Sequence, residues 1–153
     1  MQQDLATRYP LVLVPGMLGF VRMVLYPYWF GIVPALRKGG AQVFPVQVSP
    51  LHSSEVRGEQ LLAIIDDICQ RTGVDKVNLI GHSQGALSAR YAAAKRPERV
   101  ASVTSVAGPN HGSELADHLE RTAPGHSPQG ARPQGRAAWV CRAAGVAGNR
   151  LAS

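Results

Sequence analysis

The amino-acid sequence predicts an α/β protein built on a mainly parallel, doubly wound sheet with helices on both faces. Short apolar segments alternate with longer helical patterns along the first 120 residues, which is the order of elements in such a sheet. The apolar segments show no polar alternation, as expected of strands that are covered on both sides. A Gly-x-Ser-x-Gly sequence at residues 81–85 joins one of these strands to the next helix.

Four strands are predicted from runs of apolar and β-branched residues: residues 11–14, 41–48, 76–80 and 100–106. Helices are predicted from apolar residues at helical spacing: residues 28–38, a helix capped by Ser53 or Ser54 and ended by Gly73, residues 83–95, and a short helix at 113–119 after a loop at 107–112. Pro34 conflicts with a helix start at residue 28. Pro45 predicts a kink or a sheet edge in the second strand.

Length and charge predict one domain followed by a different segment. The 153 residues, 45% of them hydrophobic, suffice for one core. The net charge of +6 comes mostly from residues 121–153, which hold five arginines and no acidic residue. That segment is dominated by Ala, Gly, Arg and Pro and shows no periodicity. We therefore predict that residues 1–120 form the N-terminal part of an α/β domain and that residues 121–153 form an irregular, basic, low-order tail.

The tail admits two interpretations. It is either a flexible basic extension or the product of an out-of-frame read of GC-rich DNA, which typically has this composition; we favour the second. Its scattered arginines lack interleaved aromatic residues, so no nucleic-acid binding is predicted.

Targeting signals and cysteines add little about location. Residues 1–8 lack the apolar segment of a signal peptide, which predicts a cytoplasmic or undetermined location. No uncharged apolar run is long enough for a transmembrane helix. Cys69 falls on the apolar stripe of its predicted helix and is expected to be a buried free thiol.

Residues 81–85 (Gly-His-Ser-Gln-Gly) have the pattern and the flanking elements of the nucleophile elbow of α/β-hydrolases. Gly81 and Gly85 remove side chains that would collide across the tight turn between strand and helix. Ser83 would then present its hydroxyl to a base, which activates it as a nucleophile. A chance match is the alternative, and the strand and helix on either side argue against it.

The loop after the first strand is predicted to supply an oxyanion donor. In this architecture one backbone N–H comes from the residue after the nucleophile and the other from a loop that follows an earlier strand. These would be the N–H groups of Gln84 and Met17. The alternative is an ordinary turn with Met17 and Leu18 in the core.

The acid and the base of a catalytic triad are not found in the expected order of Ser, Asp or Glu, then His. No histidine after Ser83 follows a further predicted strand. His111, in the loop after the strand next to the elbow, is the weak candidate base. His82 is expected to point away from Ser83 into the sheet packing, and His52 to be solvated. No metal site is predicted.

Five sequence blocks together resemble those of one family: residues 13–20 (LVPGMLGF), 28–32 (YWFGI), 54–62 (SEVRGEQLL), 77–85 (VNLIGHSQG) and 101–106 (ASVTSV). They are similar to the bacterial true lipases, which are secreted triacylglycerol lipases that usually need a membrane-bound foldase. The resemblance covers about residues 9–119. The chain departs from the family at Pro15, where the family usually has His, and at residues 109–113.

The resemblance implies that Ser83 is the nucleophile, that Met17 and Gln84 are the oxyanion donors, and that residues 20–29 lie beside the acyl pocket. It implies acyl-ester lipid substrates and a foldase as a possible partner. The family's lid helix, catalytic Asp, catalytic His and calcium-binding acids lie beyond the matching region and have no counterpart here. Calcium is thus expected for full-length members, and no cofactor is expected for this chain.

The resulting function is a triacylglycerol lipase-like carboxylic ester hydrolase that works through a serine acyl-enzyme. The alternative is a catalytically inactive lipase fragment, truncated or frameshifted after about residue 120, that lacks the triad Asp and His. A thioesterase is a third hypothesis.

Overall fold

The computed structural model describes residues 4–17, 22–23, 26–50, 52–112 and 114. The strands are β1 (Leu11–Val14), β2 (Arg22–Met23), β3 (Tyr26–Pro27), β4 (Val43–Pro45), β5 (Val77–His82) and β6 (Val100–Val106). The helices are α1 (Ile32–Lys38), α2 (Ser54–Thr72) and α3 (Gln84–Lys95), and a 3₁₀-helix spans Pro97–Arg99. The chain divides into two compact units, Met1–Gly108 and Pro109–Ser153.

Four strands of the first unit form a parallel sheet in the order β4-β1-β5-β6. The central strand β1 pairs with β4 on one side and with β5 on the other, with Leu13 opposite both Pro45 and Ile80. Strands β2 and β3 form a separate antiparallel pair. The predicted parallel α/β sheet is confirmed.

Both faces of this sheet are covered at β1, whereas most residues of the edge strand β6 are exposed. Side chains of successive β1 residues point to opposite faces, because the side-chain repeat of a strand is two residues. Val12 and Val14 belong to a buried cluster with residues of α2 and α3, whereas Leu11 and Leu13 pack in a second cluster with Trp29 and the partly buried side of α1. All four β1 residues are buried. Helices therefore lie on both faces of the sheet, as predicted, with α1 on one face and α2 and α3 on the other.

Helix α2 begins and ends where the sequence predicts. Ser53 is the N-cap, and its hydroxyl accepts a hydrogen bond from the N–H of Val56 at 3.3 Å. Gly73 closes the helix in the left-handed conformation, with φ 71°. The buried positions include Arg57, Leu61, Ile65 and Cys69, which are four residues apart and therefore share one face.

Two predicted elements are shorter than the sequence suggested. Helix α1 begins at Ile32 and not at residue 28, because Gly31 takes a φ of +74° at the N-cap. Pro34 then lies in the first turn, where its missing N–H would have no helical partner. Strand β4 is only Val43–Pro45 and lies at the edge of the sheet, one of the two outcomes predicted from Pro45; the missing N–H of Pro45 faces away from β1 and breaks no ladder bond. The pairing of Pro45 with Leu13 is completed by the next residue, since Val46 N–H donates to Leu13 O at 3.1 Å.

The second unit is described only at its start. Asn110 and Gly112 form an isolated bridge, and Gly112 N–H donates to Pro109 O at 3.1 Å, within the predicted loop. Apart from Glu114, which is helical, the helix predicted at 113–119 lies outside the described residues, as do the predicted boundary near residue 120 and the predicted tail. Among the described residues, no helix has the length of uncharged apolar sequence that a membrane-spanning segment needs.

Cys69 is a free thiol with 4% of its surface exposed, as predicted. Burial raises the pKa of this thiol; the nearby Asp66 and Asp75 raise it further, and Arg99 lowers it. Because the folded state favours the neutral thiol, its contribution to stability is complete below the ordinary cysteine pKa and is lost as pH rises through the raised folded value.

We expect Cys69 to resist alkylation in the folded protein, since the thiolate is the reacting species and both burial and the raised pKa suppress it. Iodoacetamide at pH 8, followed by peptide mass mapping, should modify Cys69 at least about 100-fold more slowly without urea than in 8 M urea. Equal rates in the two conditions would show that the α2 face is open to solvent.

Candidate active site

Ser83 is the single residue between strand β5 and helix α3, and its backbone conformation is one that serine seldom adopts. Its φ is 54° and its ψ is −127°. The turn is held at both ends: Ser83 N–H donates to Val106 O at 2.9 Å, and Ala86 N–H donates to Ser83 O at 3.0 Å. A non-glycine residue at such a φ costs about 1–3 kcal/mol and is concentrated at functional sites. The structure thus has the sharp turn that the sequence predicts.

The Ser83 hydroxyl is not used to cap the helix. The sequence analysis starts helix α3 at Ser83, but the structure starts it at Gln84 and leaves Ser83 as the N-cap. Serine at this position usually accepts a hydrogen bond from the first turn, yet Ser83 makes no side-chain capping bond. The residue is only partly buried. Its oxygen is therefore left for other chemistry.

Gly81 and Gly85 allow three chain segments to meet at the elbow. A Cβ at Gly81 would lie 2.5 Å from both Ala86 Cα and Gly85 O. A Cβ at Gly85 would lie 2.6 Å from Pro15 O, and closer still to Val14 O. All of these are backbone atoms that cannot rotate away, so glycine is needed at both positions.

The loop after β1 lies against the nucleophile. A Cβ built on Gly16 would be 2.9 Å from Ser83 Cβ and 3.2 Å from His82 O. Met17, which follows directly, is partly buried. Gln84 begins α3, where the first N–H groups have no partner within the helix. The structure therefore brings together the two loops that the sequence assigned to the oxyanion donors.

Tyr28 and His82 hold the other side of this loop. Gly16 N–H donates to Tyr28 Oη at 3.0 Å, and Tyr28 Oη lies 2.6 Å from His82 Nδ1. Because Oη accepts from Gly16, its own proton is free to be donated to Nδ1, which then carries no hydrogen. The His82 ring also packs against the rings of Tyr28 and Trp29 in T-shaped arrangements. His82 thus packs at the sheet, as predicted.

Arg57 is one of the site residues that the sequence analysis missed. It is completely buried on α2. Its Nη2 donates to Pro15 O and, at 3.2 Å, to Gly16 O, while its Nη1 donates to Gln84 Oε1 at 2.7 Å. The signal was present as a charged residue on the apolar stripe, four residues before Leu61. Nothing in the sequence pattern alone told which groups it meets.

Two further histidines, His52 and His111, are both exposed. His52 is exposed, as predicted, and its carbonyl accepts from Gln84 Nε2 at 3.2 Å. His111 is exposed and belongs to the second unit, so its role as a base stays a prediction. Within the part of the chain that the structure describes, no three His, Cys, Asp or Glu side chains cluster closely enough to hold a metal ion.

Comparison with known proteins agrees with this geometry. A family model described as "alpha/beta hydrolase fold" matches residues 9–136. The chain belongs to the alpha/beta hydrolase fold family. Among alpha/beta hydrolases it is 54% identical over 119 residues to a triacylglycerol lipase of Pseudomonas fragi and 50% identical over 121 residues to one of Vibrio cholerae. The resemblance to bacterial lipases is thereby confirmed.

The alignments cover most of this chain but less than half of each lipase. The alignments include 78% and 79% of this chain but only 41% and 39% of the two lipases, so the chain spans about two fifths of their length. The mature form of lipase BlEst2 from Bacillus licheniformis has the same fold, with a TM-score of 0.62 and 27% identity. That match covers 74% of this chain and 46% of the other.

Proposed function

We propose that this chain carries the nucleophile and the oxyanion hole of a carboxylic ester hydrolase that acts on acylglycerols. Ser83 Oγ attacks the ester carbonyl, the backbone N–H groups of Met17 and Gln84 stabilise the negative oxygen, and the alcohol leaves. Water then hydrolyses the acyl-enzyme. The observation that carries the proposal is the strained, non-capping Ser83 pressed against the Gly16 loop.

The lipase names of the bacterial relatives support an acyl-ester lipid as substrate. A calcium ion, a foldase partner and secretion are proposals for the full-length lipases that this chain resembles. For the present chain no cofactor is proposed. His111 remains the candidate base, and the inactive fragment without the triad Asp and His remains the alternative.

An activated phosphonate ester tests the proposal. It reacts with a serine only when the hydroxyl is activated and the phosphonyl oxygen is stabilised, so we expect one adduct per chain, located at Ser83 by peptide mass spectrometry. The Ser83→Ala variant should form none, whereas Ser105→Ala, at an exposed serine on β6, should react like the unmodified chain.

Turnover distinguishes the alternatives. Hydrolysis of a p-nitrophenyl ester in addition to capture would support a competent hydrolase, and faster hydrolysis of the matching thioester would favour a thioesterase. Capture without turnover would identify Ser83 as an activated nucleophile in a chain that does not complete hydrolysis. Absence of any adduct at Ser83 would overturn the proposal for this chain and favour the inactive fragment, in which no base activates the hydroxyl.

A further inference from the structure

Arg57 is a buried cation whose observed partners are all neutral. Its side chain is fully excluded from solvent, and within the described residues it forms no ion pair and its Nε has no hydrogen-bond partner. Burial lowers the pKa of this guanidinium, and nearby Tyr28 opposes the change, yet arginine stays charged in proteins. Burying a charge without a counter-ion is costly, so the interactions it makes need an explanation.

The first interaction fixes the direction of the Met17 N–H. Gly16 C=O and Met17 N–H belong to one planar trans peptide, in which the two groups point in opposite directions. Because Arg57 Nη2 holds Gly16 O at 3.2 Å, it sets where the N–H of Met17 points. A positive donor on the carbonyl also polarises the peptide and strengthens the N–H as a donor.

The preceding peptide is held at both ends. Arg57 Nη2 donates to Pro15 O, and the N–H of the same peptide, that of Gly16, donates to Tyr28 Oη at 3.0 Å. That N–H is therefore occupied. Of the two consecutive amides, only the one at Met17 has no hydrogen-bond partner among the described residues, so it can serve a ligand.

The second interaction reaches the elbow. Arg57 Nη1 donates to Gln84 Oε1 at 2.7 Å, and Gln84 Nε2 donates to His52 O at 3.2 Å. The backbone N–H of Gln84 is the other donor assigned to the oxyanion hole. One planar guanidinium thus connects the two segments that supply the two donors.

We propose that Arg57 is a positioning residue that sets the spacing and direction of the Met17 and Gln84 N–H groups, and so preorganises the oxyanion hole. This rests on the proposed function for its catalytic meaning, but the positioning itself is a property of the fold. It depends on the fork of the guanidinium, since lysine has one nitrogen and cannot hold Gly16 O, Pro15 O and Gln84 Oε1 in the same geometry.

The test compares Arg57→Lys and Arg57→Met with Arg71→Met, which removes an exposed arginine from the same helix. Amide hydrogen exchange by NMR is the first readout. In both Arg57 variants we expect Gly16 N–H to exchange at least about tenfold faster, because the anchor of its peptide is lost. The amide resonances of Met17 and Gln84 should shift together. Arg71→Met should change none of these.

A purely structural role predicts another pattern. Lower global stability would raise exchange at Leu79, in the buried strand β5, as much as at Gly16. Equal changes at the two amides, or no change at Gly16 in Arg57→Lys, would overturn the proposal. Arg57→Lys keeps the charge and the aliphatic stem, so it provides the comparison if Arg57→Met does not fold.

Phosphonate capture is the second readout and separates this proposal from the proposed function. In Arg57→Lys we expect the rate constant of Ser83 capture to fall about 100-fold per folded molecule. Misplacing or removing an oxyanion-hole donor lowers a reaction rate by about this factor. Capture at the unmodified rate would overturn the role in catalysis. If the unmodified chain is never captured but the exchange pattern holds, the proposed function fails and the positioning role of Arg57 stands.

Discussion

Replacing Gly85 with alanine should unfold the first unit or destabilise it by at least about 3 kcal/mol, the upper end of overpacking costs. The new methyl group would lie 2.6 Å from Pro15 O and closer still to Val14 O. Both atoms belong to the backbone of the central strand and its loop. Relief would require β1 to move away from α3, which would break its pairing with β5.

The measurement is urea unfolding followed by circular dichroism, with Gly73→Ala as the control. A Cβ at Gly73 meets nothing within 4 Å, although the residue has a φ of +71°. The control therefore carries only the strain of the left-handed conformation, about 1–2 kcal/mol. If Gly85→Ala is no less stable than Gly73→Ala, the close approach of β1 and α3 at the elbow is wrong.

The elbow was predictable because its constraints are local. Its two glycines, its serine and the flanking strand and helix lie within a few residues of one another, and the chemistry of a tight turn restricts what can stand there. The same holds for the caps of α2, where Ser53 and Gly73 act on the adjacent turn of helix. Such features can be predicted from the sequence because the residues that determine them are neighbours along the chain.

The support of the site was not predictable because its contacts are distant in sequence. Arg57 meets Gly16, 41 residues earlier, and Gln84, 27 residues later; Tyr28 and His82 are 54 residues apart. A helical pattern places Arg57 on the buried face of α2, but only the packing of α2 on the sheet shows that this face meets the β1 loop.

The shortened helix α1 has a different cause. Periodicity extends the helix back to residue 28, but the positive φ of Gly31 separates the preceding turn from the helix. This turn leaves Tyr28 where its hydroxyl reaches Gly16. The wrong boundary and the missed tyrosine therefore have one origin, which is a glycine whose conformation the apolar pattern does not reveal.

Replacing Ser83 with glycine should make the protein more stable while abolishing covalent capture. With φ 54° and ψ −127°, Ser83 stores about 1–3 kcal/mol of backbone strain that glycine would not carry. Glycine also increases the entropy of the unfolded chain, which costs about 0.5–1 kcal/mol. We expect a net gain of about 1 kcal/mol in the free energy of unfolding, measured in urea.

Ser83→Ala is the matched control because it removes the same hydroxyl but keeps the Cβ and hence the strain. It should be about as stable as the unmodified chain, since the lost hydroxyl makes no capping bond. Neither variant should react with the phosphonate. The difference between the two variants isolates the strain from the loss of the oxygen. If Ser83→Gly gains nothing over Ser83→Ala, no strain is held at the nucleophile. A gain would mean that the fold sacrifices stability to keep a serine where glycine fits better, which is expected only where the hydroxyl is needed.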